Sequence, residues 1–305
     1  MPEGHSVHRI AIQFQRDFVG KKAAVSSPQG RFANGAALLT GLEMKSARAV
    51  GKHLFLEFED DRWLRVHLGI YGAWDFLGGI SPLSGDEAAL RSIGAPRLRR
   101  AVHMAETERE REAPDEPFPP PPIGAVRVRI ATSTAVADLS GPTACEVLDP
   151  AQVEGVLRRL GPDPVVDSGS GAEERFVAAI AGRSAPIGVL LMDQSVVSGI
   201  GNVYRAEILF RTRLNPHTKG KNVPRDVAVS LWRDWVHLLR IGVQTGHMLT
   251  MDPVNSDSDD RARTNAEVRH WVYKREGLPC RLCGGAVTME VMAARKLYWC
   301  PIDQP

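Results

Sequence analysis

The chain has 305 residues, of which 43% are hydrophobic and 24% charged, and its formal net charge is +2. That length exceeds one minimal domain and suits two with a small appendage, while the balance excludes wholesale disorder, collagen and coiled coil. No apolar run reaches the roughly 20 residues that cross a bilayer, and the opening MPEGHSVHR lacks the basic-then-apolar order of a secretory signal. The expectation is a soluble cytoplasmic protein with no membrane partner.

Residues 7–18 (VHRIAIQFQRDF) repeat apolar positions at helical spacing and predict a helix close to the N-terminus. From 45 to 76 the period changes to two: LFLEF, then RWLRVHL, with Leu64, Val66 and Leu68 on one face and Arg65 and His67 on the other, predict strands. AVRVRIATSTAVADL at 125–139 adds one or two more, so residues 1–145 read as a mainly β domain with an N-terminal helix. Within it, 91–122 stands apart: Arg97, Arg99 and Arg100 are followed by six acids between Glu106 and Glu116 and by four consecutive prolines, a composition that predicts a mobile insertion. The GPDP and DSGSGA stretches at 161–172 mark the expected interdomain linker. Helical spacing then returns in EERFVAAIA, IGVLLMDQ, VYRAEILFR and DVAVSLWRDWVHLLRIGV, which makes 146–260 a helical domain. Residues 250–265 are a polar, acidic connection, and 272–305 form a separate tail. The fold class is therefore α+β.

Charge is unevenly spread. Residues 1–160 hold 20 basic and 20 acidic side chains, whereas 200–248 hold eight basic against three acidic and 261–305 eight against four. Such local excesses suit a phosphate backbone and are equally common on ordinary soluble surfaces. Of the four cysteines, Cys145 stands alone and reads as an ordinary buried thiol, while Cys280, Cys283 and Cys300 crowd into the tail.

Three local patterns carry possible chemistry. The tail reads Cys280-x2-Cys283, then Cys300-x2-Asp303, zinc-ribbon spacing with Asp in the fourth position. Asp can ligate zinc through oxygen, although a carboxylate is a harder ligand than a thiolate; the alternative is a ribbon that folds without metal. SGIGNV at 198–203 lies between two helical patterns, where the glycines allow a tight turn and Asn202 with the next helix's N–H groups can hold a phosphate, or the turn holds no ligand at all. Last, removal of Met1 would make Pro2 a secondary amine with a pKa near ~8, unprotonated often enough at neutral pH to attack an aldehyde-like carbon and form an iminium. Glu3 beside it can move protons, and the competing reading is a frayed terminus with no role.

These patterns occur together in one family. MPEGHSVHR, GKHLFLEF around Lys52, HLGIYGAW at 67–74, LLMDQSVVSGIGNVYRAEILFR at 190–211 and RKLYWCP before the chain end closely resemble the formamidopyrimidine-DNA glycosylase/endonuclease VIII family, in its endonuclease VIII-like, actinobacterial-type branch. The resemblance implies an N-terminal β-sandwich with an N-terminal helix, a helical domain with a helix-two-turns-helix motif and a C-terminal zinc-ribbon-like finger, with damaged DNA held between the lobes. It implies a bifunctional glycosylase and abasic-site lyase of base excision repair: Pro2 attacks C1′ of a flipped-out nucleotide, Glu3 assists ring opening and turnover, and β,δ-elimination cuts the strand. Lys52 and Asn202 correspond to the family's active-site lysine and phosphate-binding asparagine, and Arg295 to the finger arginine that grips the phosphates beside the lesion. Ile70 and Tyr71 fall on the wedge loop that fills the space left by the extruded base.

Oxidised pyrimidines are the expected substrates, zinc on Cys280, Cys283, Cys300 and Asp303 the expected cofactor, and a monomer, nucleoid-associated when on DNA, the expected state. Departures from the family pattern lie at His5, where a Pro is usual, at Ser6, where a Glu is usual, and at Asp303, where the fourth Cys is usual. His5 and His8 can join the site or cap the first helix. Two rivals remain: a catalytically silent damaged-DNA-binding paralogue, and a structural nucleic-acid-binding protein, in which Pro2, Glu3 and Lys52 would have no purpose.

Overall fold

A computed structural model describes residues 2–83, 100–105, 109–112, 118–167, 169–252 and 265–305. It divides into two compact units, Met1–Arg158 and Arg159–Pro305.

The first unit opens with helix α1 (Gly4–Asp17), whose apolar positions Val7, Ile10, Ala11 and Phe14 are all buried. It continues through strand β1 (Ala24–Ser26), helix α2 (Ala33–Leu39) and strands β2 (Met44–Val50), β3 (His53–Phe58), β4 (Arg62–His67) and β5 (Ala73–Gly78). Next come β6 (Arg100–Met104), β7 (Arg109–Glu112), β8 (Val126–Ala131), β9 (Ala135–Ser140) and β10 (Ala144–Leu148), and the unit closes on α3 (Pro150–Leu157). Two antiparallel sheets result, in the orders β1-β8-β9-β5-β6-β7 and β10-β4-β3-β2. Alternation drives the layering: Leu54, Leu56, Leu64 and Val66 of one sheet share a core with Trp74, Phe76, Val128, Ile130 and Leu139 of the other, and Phe14 and Phe18 pack into it. This is the expected β-sandwich.

Composition misleads within 91–122. Residues 100–104 and 109–112 pair as an edge hairpin, because Val102 and Met104 reach the core and β6 continues the ladder from β5. The remaining described part, 118–122, is irregular, and 91–99, 106–108 and 113–117 lie outside the described residues. Helix α3 carries a capping box on Asp149 and Gln152 that periodicity did not reveal.

The second unit contains α4 (Ser170–Ala181), α5 (Ile187–Leu190), α6 (Asn202–Arg211) and α7 (Arg225–Thr245), followed by a hairpin of β11 (Thr288–Met292) and β12 (Arg295–Trp299). Of the IGVLLMDQ pattern only four residues are helical; the rest turns, with Asp193 accepting from Val196 and Val197 N–H groups through its carbonyl. Phe176, Ile180, Leu190, Val203, Tyr204, Leu231, Trp232 and Trp235 form the helical core. A smaller core of Phe210, Val272, Val287, Leu297, Tyr298 and Cys300 joins the hairpin to α6.

Candidate functional site

In the first unit, Pro2 and Glu3 are buried, and Glu3 is the N-cap of α1, in extended conformation, with its carbonyl accepting from Ser6 N–H at 3.1 Å. His5 is buried in the same first turn, its Nε2 3.1 Å from the Ser6 hydroxyl. The direction of α1 against the sheet fixes where this terminus lies. Gly20 N–H donates to the Met44 carbonyl, and Ala47 N–H donates to Gln15 Oε1, so helix and strand run oppositely. A helix rises about 1.5 Å per residue and a strand about 3.3 Å, so α1 runs about 18 Å from Gln15 back to Glu3 in the same direction in which β2 runs about 10 Å from Ala47 to Val50 before turning at Gly51-Lys52. Pro2 and Glu3 thus lie towards the Lys52 end of the sandwich.

Lys52 sits on the tight turn between β2 and β3, beside Gly51 at φ 59°. His53, the next residue, is paired in register with His67, the last of β4, and their rings stand 4.9 Å apart. Ile70 and Tyr71 follow on a closed turn in which Gly72 N–H donates to the Leu68 carbonyl at 3.0 Å. A Cβ on Gly72 would meet that carbonyl oxygen at 2.3 Å, so only glycine closes the turn this tightly. The loop raises two apolar side chains into solvent, Ile70 at 42% and Tyr71 at 87% exposure.

His67 was read from alternation only as a sheet-face residue, yet it lies beside this set. Its Nδ1 lies 3.2 Å from the Gly69 N and 2.9 Å from the Thr143 hydroxyl oxygen, which also reaches the His67 carbonyl at 3.0 Å. Burial, with the charges of Lys52 and Arg65, pushes its pKa down to about 4. A histidine whose folded-state value lies below the usual 6.5 adds stability that is present above 6.5 and lost as pH falls towards 4. At neutral pH the ring is uncharged. The His67 ring resonances should titrate with a midpoint near 4, and Lys52→Ala should raise that midpoint while leaving it below 6.5, because burial is the larger cause. An unmoved midpoint in NMR titration would mean that Lys52 does not face the ring.

In the second unit, SGIGNV forms a stitched turn: Gly199, at φ 93°, donates its N–H to Gln194 Oε1, and Gln194 Nε2 donates to the Ile200 carbonyl at 3.0 Å. Asn202 opens α6, which has no side-chain cap at its N-terminus. Its Nδ2 donates to the Lys296 carbonyl at 2.8 Å and its Oδ1 accepts from Arg205 at 2.5 Å. Arg295 precedes Lys296 and is paired with Met292 across a two-residue turn, so Asn202 is bonded to the residue next to Arg295. That turn is Ala293-Ala294, both left-handed at φ 52° and 56°, where Asn-Gly is the unstrained choice.

Helix α6 docks the tail along its whole length. The fully buried Arg205 donates to the Met292 carbonyl at 3.2 Å. Two residues on, the fully buried Glu207 carboxylate accepts from the N–H groups of Trp271, Val272 and Tyr273 at 2.7–2.9 Å and from the Thr250 hydroxyl. At the C-terminal end, Leu214 N–H donates to the Leu209 carbonyl and Arg213 N–H to the Phe210 carbonyl, a Schellman cap with arginine at the left-handed position, φ 55°. Glycine is the usual residue there, and a side chain costs about 1 kcal/mol.

Beyond this cap, Cys280, Cys283, Cys300 and Asp303 present their ligand atoms within 4.8 Å of one another, as a metal site requires. Leu282 N–H points at Cys280 Sγ and Asp303 N–H at Cys300 Sγ, both at 3.5 Å. Hydrogen bonds from the Cys283 and Cys280 thiols, with the Arg213 charge behind, hold the Asp303 carboxyl below its ordinary range. Cys145 lies apart on β10, its thiol pushed up to about 12 by burial and therefore inert.

Comparison with known proteins agrees with this layout. Residues 1–137 match the formamidopyrimidine-DNA glycosylase N-terminal domain and 160–253 the formamidopyrimidine-DNA glycosylase H2TH domain. The chain is 36% identical over 309 residues to endonuclease 8 1 of Mycobacterium tuberculosis, covering 100% of both. It belongs to the formamidopyrimidine-DNA glycosylase/endonuclease VIII family. Members of this family are DNA-repair glycosylases with abasic-site lyase activity, and the chain is such an enzyme. Against the formamidopyrimidine-DNA glycosylase of Thermus thermophilus the identity is 35% over 149 residues, which span 49% of this chain and 55% of the relative. The fold resembles that of Lactococcus lactis Fpg in complex with DNA containing an abasic site, with a TM-score of 0.70 at 18% identity over 99% of both chains. It also resembles Thermus thermophilus MutM, with a TM-score of 0.69 at 23% identity over 99% and 98%. Among the described residues, no helix is long and apolar enough to cross a membrane.

Proposed function

We propose that this enzyme removes oxidised pyrimidines from DNA and then cuts the strand, using the nitrogen of Pro2 once Met1 is removed. The observation that carries the reading is the buried Pro2-Glu3 pair at the start of α1, aimed at the Lys52 end of the sandwich. A secondary amine there can attack C1′ of an extruded nucleotide, forming the N–C1′ bond as the glycosidic bond breaks and the base leaves with a proton. Glu3 protonates the ring oxygen, the deoxyribose opens, and the positive iminium nitrogen becomes an electron sink. Loss of the 2′ proton then expels the 3′ phosphate, and a second elimination expels the 5′ phosphate. Hydrolysis frees Pro2.

The other residues serve this step. Lys52 would hold phosphate near the reacting sugar, with the uncharged His67 ring beside it, and the exposed Ile70-Tyr71 turn would fill the space left by the base. Asn202, bonded to the Lys296 carbonyl, and the neighbouring Arg295 would grip flanking phosphates at the start of α6. The pyrimidine preference rests on likeness to the endonuclease VIII branch, whose M. tuberculosis member aligns with the whole chain. The working form would be a monomer on the DNA of the nucleoid.

Zinc suits the terminal cluster. Bonds of about 2.0–2.3 Å in a tetrahedral site set ligand atoms roughly 3.5–4 Å apart, within the spread of these three sulfurs and one oxygen. When bound, the ion supplies folding energy to the finger that carries Arg295 and takes no part in bond breaking. Incubation with duplexes carrying oxidised pyrimidines, oxidised purines or an abasic site tests the reading. Cleavage of the first and last to products with phosphate at both ends of the gap is expected. Tight binding of abasic DNA with no cleavage would instead favour a silent paralogue.

A further inference from the structure

Asp303 stands where a fourth thiol would present a single donor atom, and a carboxylate presents two. The structure divides them. Oδ2 faces the cluster, 3.0 Å from Cys280 Sγ and 3.4 Å from Cys300 Sγ, while Oδ1 accepts from Arg213 Nη1 at 2.5 Å. The Asp303 side chain is only 8% exposed, so its second oxygen has little water to turn to. Arg213 occupies the left-handed position of the α6 cap, where glycine costs least, so what its side chain does must outweigh the crowding of its Cβ. The neighbouring residue of the cap adds a second tie: Gln304 Nε2 donates to the Leu214 carbonyl, and its Oε1 accepts from Cys300 N–H, both at 2.9 Å.

We infer that Arg213 is a positioning residue for the metal site, holding Asp303 as a one-oxygen ligand and so adapting a Cys3Asp donor set to a divalent cation. This rests on reading the cluster as a metal site. Three thiolates and one carboxylate around a divalent ion leave two negative charges, and the guanidinium offsets one of them. Its planar fork also fixes the direction of the bound oxygen, which a lysine ammonium, as a point charge, does not. The helix that opens on Asn202 thereby closes on the support of the fourth ligand, and metal occupancy is linked to the α6 cap.

Full-length protein and its Arg213→Gly, Arg213→Lys, Asp303→Cys and Arg213→Gly/Asp303→Cys variants test this, with zinc affinity measured by chelator competition and cobalt uptake by its thiolate charge-transfer absorption. Arg213→Gly relieves the crowded cap and keeps the helical circular dichroism, yet should bind zinc about 10–100-fold more weakly, the range typical of lost ligand supports. Arg213→Lys should recover part of that loss. With Cys at 303 the ligand has one donor atom, so adding Arg213→Gly should change affinity by less than about twofold. Undiminished affinity in Arg213→Gly would overturn the inference, and so would an equal loss in the Asp303→Cys background. Wild-type protein that takes up neither zinc nor cobalt would overturn the metal-site reading as well.

Discussion

An N-terminal extension that leaves Pro2 within a peptide bond should lower strand cleavage at an abasic site by about 10³-fold or more, to the background left by binding alone. An amide nitrogen has no available lone pair, so no iminium forms and the elimination steps lose their electron sink. Binding should fall far less, because in the proposed reading it draws on phosphates held by Lys52, Asn202 and Arg295 and is set largely by counterion release. The buried position of Pro2 and Glu3 sharpens this separation, since an extension adds bulk where the structure leaves little room. Cleavage within tenfold of the processed enzyme, measured on the same abasic duplex, would remove Pro2 from the chemistry.

Glu207→Ala should destabilise the second unit by about 3–5 kcal/mol, the typical result of stripping a buried charged acceptor from its donors. The carboxylate of this 0% exposed residue accepts from three consecutive backbone N–H groups, those of Trp271, Val272 and Tyr273, and from the Thr250 hydroxyl. Alanine would leave three buried donors unpaired and open a cavity against α6. Glu207→Gln keeps the volume but loses charge and turns a donor towards donors, so it should also destabilise, by a smaller amount. Urea unfolding followed through tryptophan emission checks both, because Trp271 lies on the affected segment and stacks on Phe210 at 5.5 Å. A loss below about 1 kcal/mol in the alanine variant would mean that the tail is held to α6 chiefly by apolar packing.

Much of the architecture follows from periodicity. The two-residue repeat in RWLRVHL and LFLEF, and the helical repeats in α1, α6 and α7, each correspond to a buried face. Where composition stands in for pattern, part of the structure goes unseen. Five described residues, Arg100–Met104, lie in a stretch whose acids and prolines suggest a loop, yet two apolar side chains and a neighbouring strand suffice to extend the sheet. Helices α2 and α3 are too short for a repeat to show, and α3 announces itself only through its capping box.

The proposed site is drawn from adjacent residues, Pro2-Glu3, SGIGN and the paired cysteines, of which the cysteines gather with Asp303 as their spacing predicts. It was hidden where long-range contacts decide. Glu207 reads as a solvent-facing acid on an amphipathic helix, because its three donors lie more than 60 residues ahead in sequence. His67 has the alternation of a surface position, and burial, with the charges of Lys52 and Arg65, gives it its neutral state. Arg213 conceals a helix end, since the cap it occupies is usually marked by glycine.

The most direct measurement is peptide mapping of the enzyme after borohydride reduction in the presence of abasic-site DNA. The account predicts a covalent complex whose digest carries the reduced sugar on the nitrogen of Pro2, in a peptide lacking Met1. An adduct on a lysine, or no adduct from an enzyme that still cuts the strand, would contradict it.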